Sequence, residues 1–255
     1  MKGLILAAGY ATRLRPLTDD LPKQLLPVGG RPMADWIVGK LDEVDDIDEV
    51  HLVTNARYAE QFERWAHGKN VRVHDDGTTS NDDRLGAIAD VGFVADRERW
   101  DGEDLFVIAG DNLFEFSLVD YVAFWRAKEG ASAIALYEHP VRELASHYGV
   151  GEVDEDGRVT DFVEKPENPA SNLIATAAYI YDRSHLALLR AYLADGNPPD
   201  QPGNFIAWLH TRAPVYGYRF DGEWFDIGDS TQLREADNRL RRRAGLPERD
   251  AYTLE

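Results

Sequence analysis

Lys2-Gly3-Leu4-Ile5-Leu6-Ala7-Ala8-Gly9-Tyr10-Ala11-Thr12-Arg13-Leu14-Arg15-Pro16-Leu17-Thr18 opens the chain, and after two acidic residues Leu21-Pro22-Lys23 follows. Gly3 to Ala8 is a short apolar run and reads as a buried strand. Residues 9–32 are punctuated by Gly, Pro and Thr and read as a long ordered loop, which in a compact domain is usually a functional one. In an open α/β sheet, ligands sit where such a loop leaves the carboxyl end of a strand. Small residues at 7–9 and 11–12 let backbone approach a ligand closely, and successive amide N–H groups form an anion-binding nest. Arg13 and Lys23 add two cations. A polyphosphate clamp is one reading; a structural loop with solvated cations is the other.

Outward from that loop, strands and helices alternate. The pattern predicts a helix over Met33 to Val44 with Pro32 as its first residue. It then predicts a strand over Glu49 to Thr54, a helix over Tyr58 to Ala66 and a strand over Val71 to His74. A polar loop over 75–83, a helix over Leu85 to Ala95 and a strand over Asp104 to Ala109 complete this half. Alternation of this kind implies a parallel sheet with helices on both faces. After Asp111 strands dominate: 131–137, 150–153, 159–163, 174–181, 215–220 and 224–225. Asp154-Glu155-Asp156-Gly157 marks a hairpin turn. Ser230 to Arg243 reads as a closing helix. The fold class expected is therefore α/β, a mixed sheet with helices on both faces and a smaller antiparallel part.

Composition narrows the function. The chain has 255 residues, 44% of them hydrophobic and 29% charged, with no cysteine. That is globular composition. It excludes a disulfide scaffold, a Cys nucleophile and thiolate metal sites. The formal net charge of −18 argues against nucleic acid or an anionic membrane as the main partner. No apolar run approaches the ~20 residues of a membrane span, and the N-terminus reads as a strand rather than a signal peptide. A cytoplasmic location is the expectation. Six Lys stand against 22 Arg, and 28 Asp against 18 Glu; salt adaptation and codon bias both account for this. Walker A, G-x-G-x-x-G, G-x-S-x-G and H-E-x-x-H patterns are absent. The seven histidines show no pair at helical metal spacing.

Two aspartates are candidates for a metal. Asp111, in Gly110-Asp111-Asn112, closes the strand over 104–109. Mg²⁺ takes one or two carboxylates and completes its shell with water and phosphate oxygens. Asp226, in Trp224-Phe225-Asp226-Ile227-Gly228, lies in an apolar context where an unpaired carboxylate is costly; capping of the following helix is the other reading, better served by Asp229 and Ser230. Glu164-Lys165-Pro166 combines a carboxylate that can accept two sugar hydroxyls with an ammonium that can hold a phosphate, or is a surface ion pair before a turn.

Ala7-Ala8-Gly9, Thr12-Arg13-Leu14, Pro16-Leu17-Thr18 and Pro22-Lys23 together resemble the signature of the sugar-1-phosphate nucleotidyltransferases, the nucleoside-diphosphate-sugar pyrophosphorylases. The resemblance runs from residue 2 to about 240. It departs at Ala11, where many members carry Gly, and so predicts an ordinary φ or an adjusted nest there. It implies a Rossmann-like (GT-A-type) domain over 1–243, with a nucleotide-binding half (1–115), a sugar-phosphate half (116–230) and a tail (244–255). Asp111 and Asp226 would hold Mg²⁺. Ala7, Ala8, Gly9, Thr12, Arg13, Lys23 and Asp111 would bind the NTP, with Gly86 against the base. Gly149, in Tyr148-Gly149-Val150, together with Glu164, Lys165 and Thr176, would bind the sugar phosphate.

The reaction implied is Mg²⁺-dependent nucleotidyl transfer from an NTP, dTTP or UTP by similarity, to a sugar 1-phosphate, with release of pyrophosphate. Arg13, Lys23, Asp111, Lys165 and Asp226 would carry it. One rival is a catalytically inactive regulatory or binding subunit of the same fold; another is a phosphocholine-type cytidylyltransferase. Arg239, Arg241, Arg242, Arg243 and Arg249 form either a solvated helix end or a docking surface for an acidic neighbour, which leaves a homo-oligomer open.

Overall fold

The computed structural model describes residues 1–254. Strand β1 (Lys2–Leu6) leads into the long loop, which holds two short 3-10 turns (Thr12–Leu14 and Lys23–Leu25) and the ribbon β2 (Pro27–Val28) and β3 (Arg31–Pro32). Then come α1 (Met33–Leu41), β4 (Glu49–Thr54), α2 (Ala59–Ala66), β5 (Val71–Asp75), α3 (Ala87–Glu98) and β6 (Leu105–Ala109). The second half runs β7 (Asn112–Phe114), α4 (Leu118–Arg126), β8 (Ser132–Glu138), β9 (Gly149–Val153), β10 (Val159–Glu164) and β11 (Leu173–Tyr181). It closes with α5 (Leu186–Ala194), α6 (Pro202–Leu209), β12 (Val215–Phe220), β13 (Trp224–Asp226) and α7 (Ser230–Arg243).

Nine strands form one mixed sheet. β1 lies between β4 and β6, parallel to both, and β5 extends the parallel part beyond β4. β11 runs antiparallel to β6 and β8, and β12 is parallel to β8. The β9–β10 hairpin branches from β11 at Ile174 and Val150. Side chains alternate between faces along each strand, so β1 sends Ile5 to one core and Leu4 to the other. One face packs on α1, α2, α4 and α7 through Ile37, Phe62, Tyr121 and Leu233. The other packs on α3, α5 and α6 through Val91, Leu189 and Phe205. The expected fold class is thus the observed one.

The differences are local. α1 ends at Leu41, before Val44, and Pro32 flanks it rather than opening it. α3 starts at Ala87 rather than Leu85 because Gly86 takes φ 97°, outside helical space. Helices α4, α5 and α6 and strand β7 were not legible, whereas the strand expected over 224–225 is β13. α6 is apolar nearly all round, which hides a 3.6-residue period. The arginines near the C-terminus meet acids and backbone carbonyls of this same chain, while Arg242 and Arg243 stay exposed. Arg239 and Arg243 pair with Glu223, Arg243 also with Glu115, and Arg242 with Glu248. Arg241 donates to the Pro247 carbonyl at 2.6 Å. The tail folds back, with the Tyr252 hydroxyl donating to Pro27. Among the described residues no helix is long and apolar enough to cross a membrane.

Neighbouring strands bring together histidines that no single-element spacing reveals. His51 Nδ1 and His74 Nε2 lie 2.9 Å apart with ring planes 16° from parallel, so one ring donates to the other. Glu49 approaches His51, Glu98 approaches His74, and both rings are buried. Burial lowers both pKa values, that of His74 to about 4. The unfolded chain therefore takes up protons that the folded chain refuses, and stability falls as pH drops from the unperturbed value near ~6.5 towards about 4. Urea midpoints measured across that window should fall less steeply for His74→Gln than for the wild type; equal slopes would remove the pair from the acid response.

Candidate active site

The loop after β1 is fixed from below. Ala7 N–H donates to Val53, Gly110 N–H to the Leu6 carbonyl, and Asn55 Nδ2 to the Ala8 carbonyl. Gly110 has no room for a side chain, because a Cβ would meet Gln24 at 2.8 Å and the Leu6 carbonyl at 2.9 Å. This close crossing sets Asp111 beside the loop. Ala11 adopts φ 44°, ψ 43°. The expected ordinary φ is therefore corrected: alanine keeps the left-handed geometry that glycine takes freely, at roughly 1–2 kcal/mol. Its carbonyl accepts from Leu14 N–H and Thr18 Oγ1, which hold the turn that presents Arg13.

Asp111 and Asp226 meet through backbone pairing. β7 and β13 run antiparallel with Asp226 opposite Asn112, and Ile227 N–H donates to the Asp111 carbonyl at 3.1 Å. Asn112 donates Nδ2 to Asp111 Oδ1 at 2.8 Å and accepts from Trp224 Nε1, which fixes the carboxylate plane. Lys23 Nζ donates to Asp111 Oδ2 at 2.6 Å and to the Ile227 carbonyl at 2.9 Å. Burial pushes Asp111 up, but the Lys23 ammonium outweighs it and holds the carboxyl below its ordinary range. Asp226 is pushed up to about 6 by burial and by Asp111, against Lys23, Arg13 and Lys165. The Arg13 guanidinium rests against Gly228, where a Cβ would stand 3.4 Å from it. The helix cap is Asp229, whose Oδ1 accepts from Thr231 and Gln232.

Across the cavity, β9 and β10 place Gly149 opposite Glu164. The Glu164 carboxylate is wedged between two glycines: a Cβ on Gly149 would stand 2.8 Å from Oε2, and one on Gly203 only 1.8 Å. Burial raises its pKa and Lys165 opposes the rise. Gln201, its amide turned to satisfy both neighbours, donates to Glu164 at 2.8 Å and accepts from Lys165 Nζ at 3.2 Å. Thr176 lies in the bulge of β11 beside Ala177 (φ 53°), and its hydroxyl donates to the Ala135 carbonyl.

These residues line one cavity of about 470 Å³, within the range of small-ligand sites. It gathers Ala8, Gly9, Thr12, Arg13, Lys23, Gly86, Asp111, Gly149, Glu164, Lys165, Thr176 and Asp226. Ala7 stays outside, buried in the core with its N–H bound to Val53. Gly86 serves packing as well, since a Cβ there would meet Pro199 and Asp200 at 2.7 Å. In the acidic stretch before it, Asp83 accepts from Thr79 and Ser80 and closes a turn. Sequence reading missed Tyr10, Arg84, Asp90, Asp200, Gln201 and Gly203. A glycine directly after Pro202 at a helix start was the available signal for the last of these.

The profile of the Nucleotidyl transferase family matches residues 2–243, and the chain belongs to that family. A UTP–glucose-1-phosphate uridylyltransferase of Synechocystis is 30% identical over 240 residues, 89% of this chain and 60% of that one. The UTP–glucose-1-phosphate uridylyltransferase AglF of Haloferax volcanii is 29% identical, over 94% of this chain and 96% of its own. The chain thus spans three fifths of the first relative and nearly all of the second. A Bacillus anthracis protein assigned as a glucose-1-phosphate thymidylyltransferase, crystallised with sucrose, superposes with a TM-score of 0.81 over 94% of this chain and 95% of that chain, at 24% identity, and shares the fold.

The wedge around Glu164 can be tested by stability alone. Gly203→Ala should destabilise by roughly 1–3 kcal/mol, as overpacking does. In a Glu164→Ala background the same change should be neutral or stabilising, because alanine suits a helix better than glycine. A double-mutant cycle by urea unfolding checks this, and additive effects would mean that the two groups do not collide.

Proposed function

We propose that this protein transfers a nucleotidyl group from UTP or dTTP to a sugar 1-phosphate and releases pyrophosphate, with Mg²⁺ as cofactor. The observation that carries the reading is the meeting of Arg13, Lys23 and Lys165 with Asp111, Asp226 and Glu164 in one cavity of an otherwise acidic protein. Three cations suit two phosphate-bearing substrates. Glu164, held between Gly149 and Gly203, suits sugar hydroxyls. Family membership and the names of the relatives support the same class of reaction.

The residues fit Mg²⁺. Burial, and then the Asp111 carboxylate beside it, push Asp226 up to about 6, so a further positive charge would be accommodated there, and Mg²⁺ needs only one or two protein carboxylates. Bound there, it would offset charge on the phosphates. The rest falls to this chain's own groups. Lys23 has three N–H bonds, two of them used on Asp111 and Ile227, which leaves one for a phosphate. Lys165 and the Gly149 backbone orient the sugar phosphate, and an oxygen of that phosphate attacks the α-phosphorus in line. It is already ionised at neutral pH, so no general base is required. Arg13 meets the charge that builds on the departing pyrophosphate. Rate then comes from positioning and charge neutralisation.

Pyrophosphate release across a matrix of NTPs and sugar 1-phosphates tests the reading. Faster turnover with ATP, GTP or CTP would overturn the choice of base, and no release with any pair would overturn the activity. Asp111→Asn and Asp226→Asn should each abolish turnover in a folded protein; more than about a tenth of wild-type kcat at saturating Mg²⁺ would remove that residue from the ligand set.

Arg13→Ala should lower kcat by ~10²–10³-fold, as loss of a transition-state donor does. Lys165→Ala should mainly raise KM for the sugar phosphate. A raised KM for the NTP instead would mean that the two ends of the cavity are assigned the wrong way round.

A further inference from the structure

Alternation along a strand would send Glu164 and Lys165 to opposite faces, yet both line the cavity. Strand β10 stops at Glu164, and Lys165 takes φ 48°, the left-handed region that only glycine enters freely. The Lys165 N–H donates to the Tyr148 carbonyl at 3.0 Å and holds the turn. Two chain neighbours of opposite charge thus share one wall. In a partly enclosed cavity such charges attract strongly, and a closed pair between them would leave neither for a ligand. Gln201 stands between them. With its amide turned to satisfy both, the nitrogen donates to Glu164 at 2.8 Å and the oxygen accepts from Lys165 Nζ at 3.2 Å.

The segment that carries Gln201 is fixed on both sides. Towards α3, the Pro199 and Asp200 carbonyls accept from Ile88 N–H at 2.8 Å and Ala87 N–H at 3.2 Å, and Arg84 holds the Asp200 carboxylate with two nitrogens. Towards α6, the Gln201 carbonyl accepts from Asn204 N–H at 3.0 Å, Pro202 opens the helix, and Gly203 lies against Glu164 too closely for a side chain. We propose that Gln201 is a positioning residue of the sugar-phosphate end: its neutral amide holds the Glu164 carboxylate and the Lys165 ammonium apart, the first for sugar hydroxyls and the second for the phosphate. An amide offers a donor and an acceptor at once, whereas a lysine or arginine there would neutralise Glu164 and an ionised acid would neutralise Lys165. Each partner keeps capacity, since the ammonium has two further N–H bonds and the carboxylate further lone pairs. Asp200, the next residue back, is held by Arg84 and feels Lys165 only after it.

The proposal rests on the nucleotide-transfer reading and concerns only its sugar side. Steady-state kinetics with UTP and glucose 1-phosphate, or the faster pair from the substrate matrix, are measured for the wild type, Gln201→Leu and Gln201→Glu, with each substrate varied in turn. Gln201→Leu removes both poles of the amide. It should raise KM for the sugar phosphate about tenfold, the scale of a lost hydrogen bond to a charged group, and leave kcat and KM for the NTP within about threefold. Gln201→Glu tests the donor. Protonated, the added carboxyl donates to Glu164 and accepts from Lys165 as the amide does, and two adjoining carboxylates retain one proton between them because they resist ionising together. As pH rises and that proton leaves, KM for the sugar phosphate should climb about tenfold relative to the wild type at the same pH. Taking that ratio removes the ionisation of the sugar phosphate itself.

An unchanged KM for the sugar phosphate in Gln201→Leu would mean that Gln201 only packs, and a raised KM for the NTP instead would put it on the other substrate; either result overturns the proposal. A flat pH ratio for Gln201→Glu overturns it too, and because that profile is read within one protein it decides even where Gln201→Leu does not fold. In a Glu164→Ala background Gln201→Leu should add less than its single effect; full additivity would make Gln201 a direct sugar contact and not a positioning residue. A wild type that turns over no NTP with any sugar 1-phosphate would overturn the nucleotide-transfer reading itself, and this proposal with it.

Discussion

The structure turns on bringing two carboxylates together at the carboxyl end of a parallel sheet. Asp111 and Asp226 are 115 positions apart in the numbering, and β7 pairing with β13 forces them into one place. Left alone, such a pair would lose much of its charge to burial and repulsion. Lys23 donates to Asp111, Arg13 leans over Gly228, and Lys165 acts from the far wall. In a chain of net charge −18, these cations are present where local negative charge requires them, and they set the cavity apart from the negative field of the rest of the molecule.

That concentration of charge needs unusually close crossings of the chain, and glycine supplies them. At Gly110 the strand end passes Leu6 and Gln24 closer than any Cβ permits, so the carboxylate at 111 reaches the loop after β1. At Gly149 and Gly203 two elements close on one carboxylate from opposite sides. Gly86 does the same where α3 meets residues 199 and 200. A side chain at any of these positions would push apart groups that line the same cavity. The left-handed Ala11 shows the opposite solution: a strained conformation held because Thr18 and Leu14 both bind its carbonyl.

How much was legible in the sequence follows from the range of each interaction. The parallel half could be read because each of its strands is a separate apolar run, and the turn chemistry at Asp154 to Gly157 showed the hairpin. Arg13, Lys23, Asp111, Glu164, Lys165 and Asp226 could be read because they sit in compact motifs. Three kinds of feature could not. Helices that are apolar all round, such as α6, carry no period. The three-residue strand β7 takes its form from pairing with β13, 110 positions further on. Partners such as Gln201 and Asp90 acquire meaning only when another segment folds against them. The histidine pair on β4 and β5 belongs to this last kind: spacing along one element says nothing about registration between two.

The same logic explains which cations stand in the cavity. The chain has only six lysines against 22 arginines, yet two of the six, Lys23 and Lys165, are here. An arginine at position 23 would meet the Asp111 carboxylate with its planar fork and bind both oxygens at once. That would take a lone pair on each oxygen and tie the carboxylate up in a closed pair. An ammonium takes one oxygen of Asp111, one backbone carbonyl at Ile227, and still points a third N–H elsewhere. On the outside the balance reverses, and Arg183 and Arg243 each hold acids through two or more contacts. Outside the cavity arginine locks acids in place, while inside it the Lys23 ammonium holds Asp111 with one N–H and the Ile227 carbonyl with another, and is not spent on the carboxylate alone.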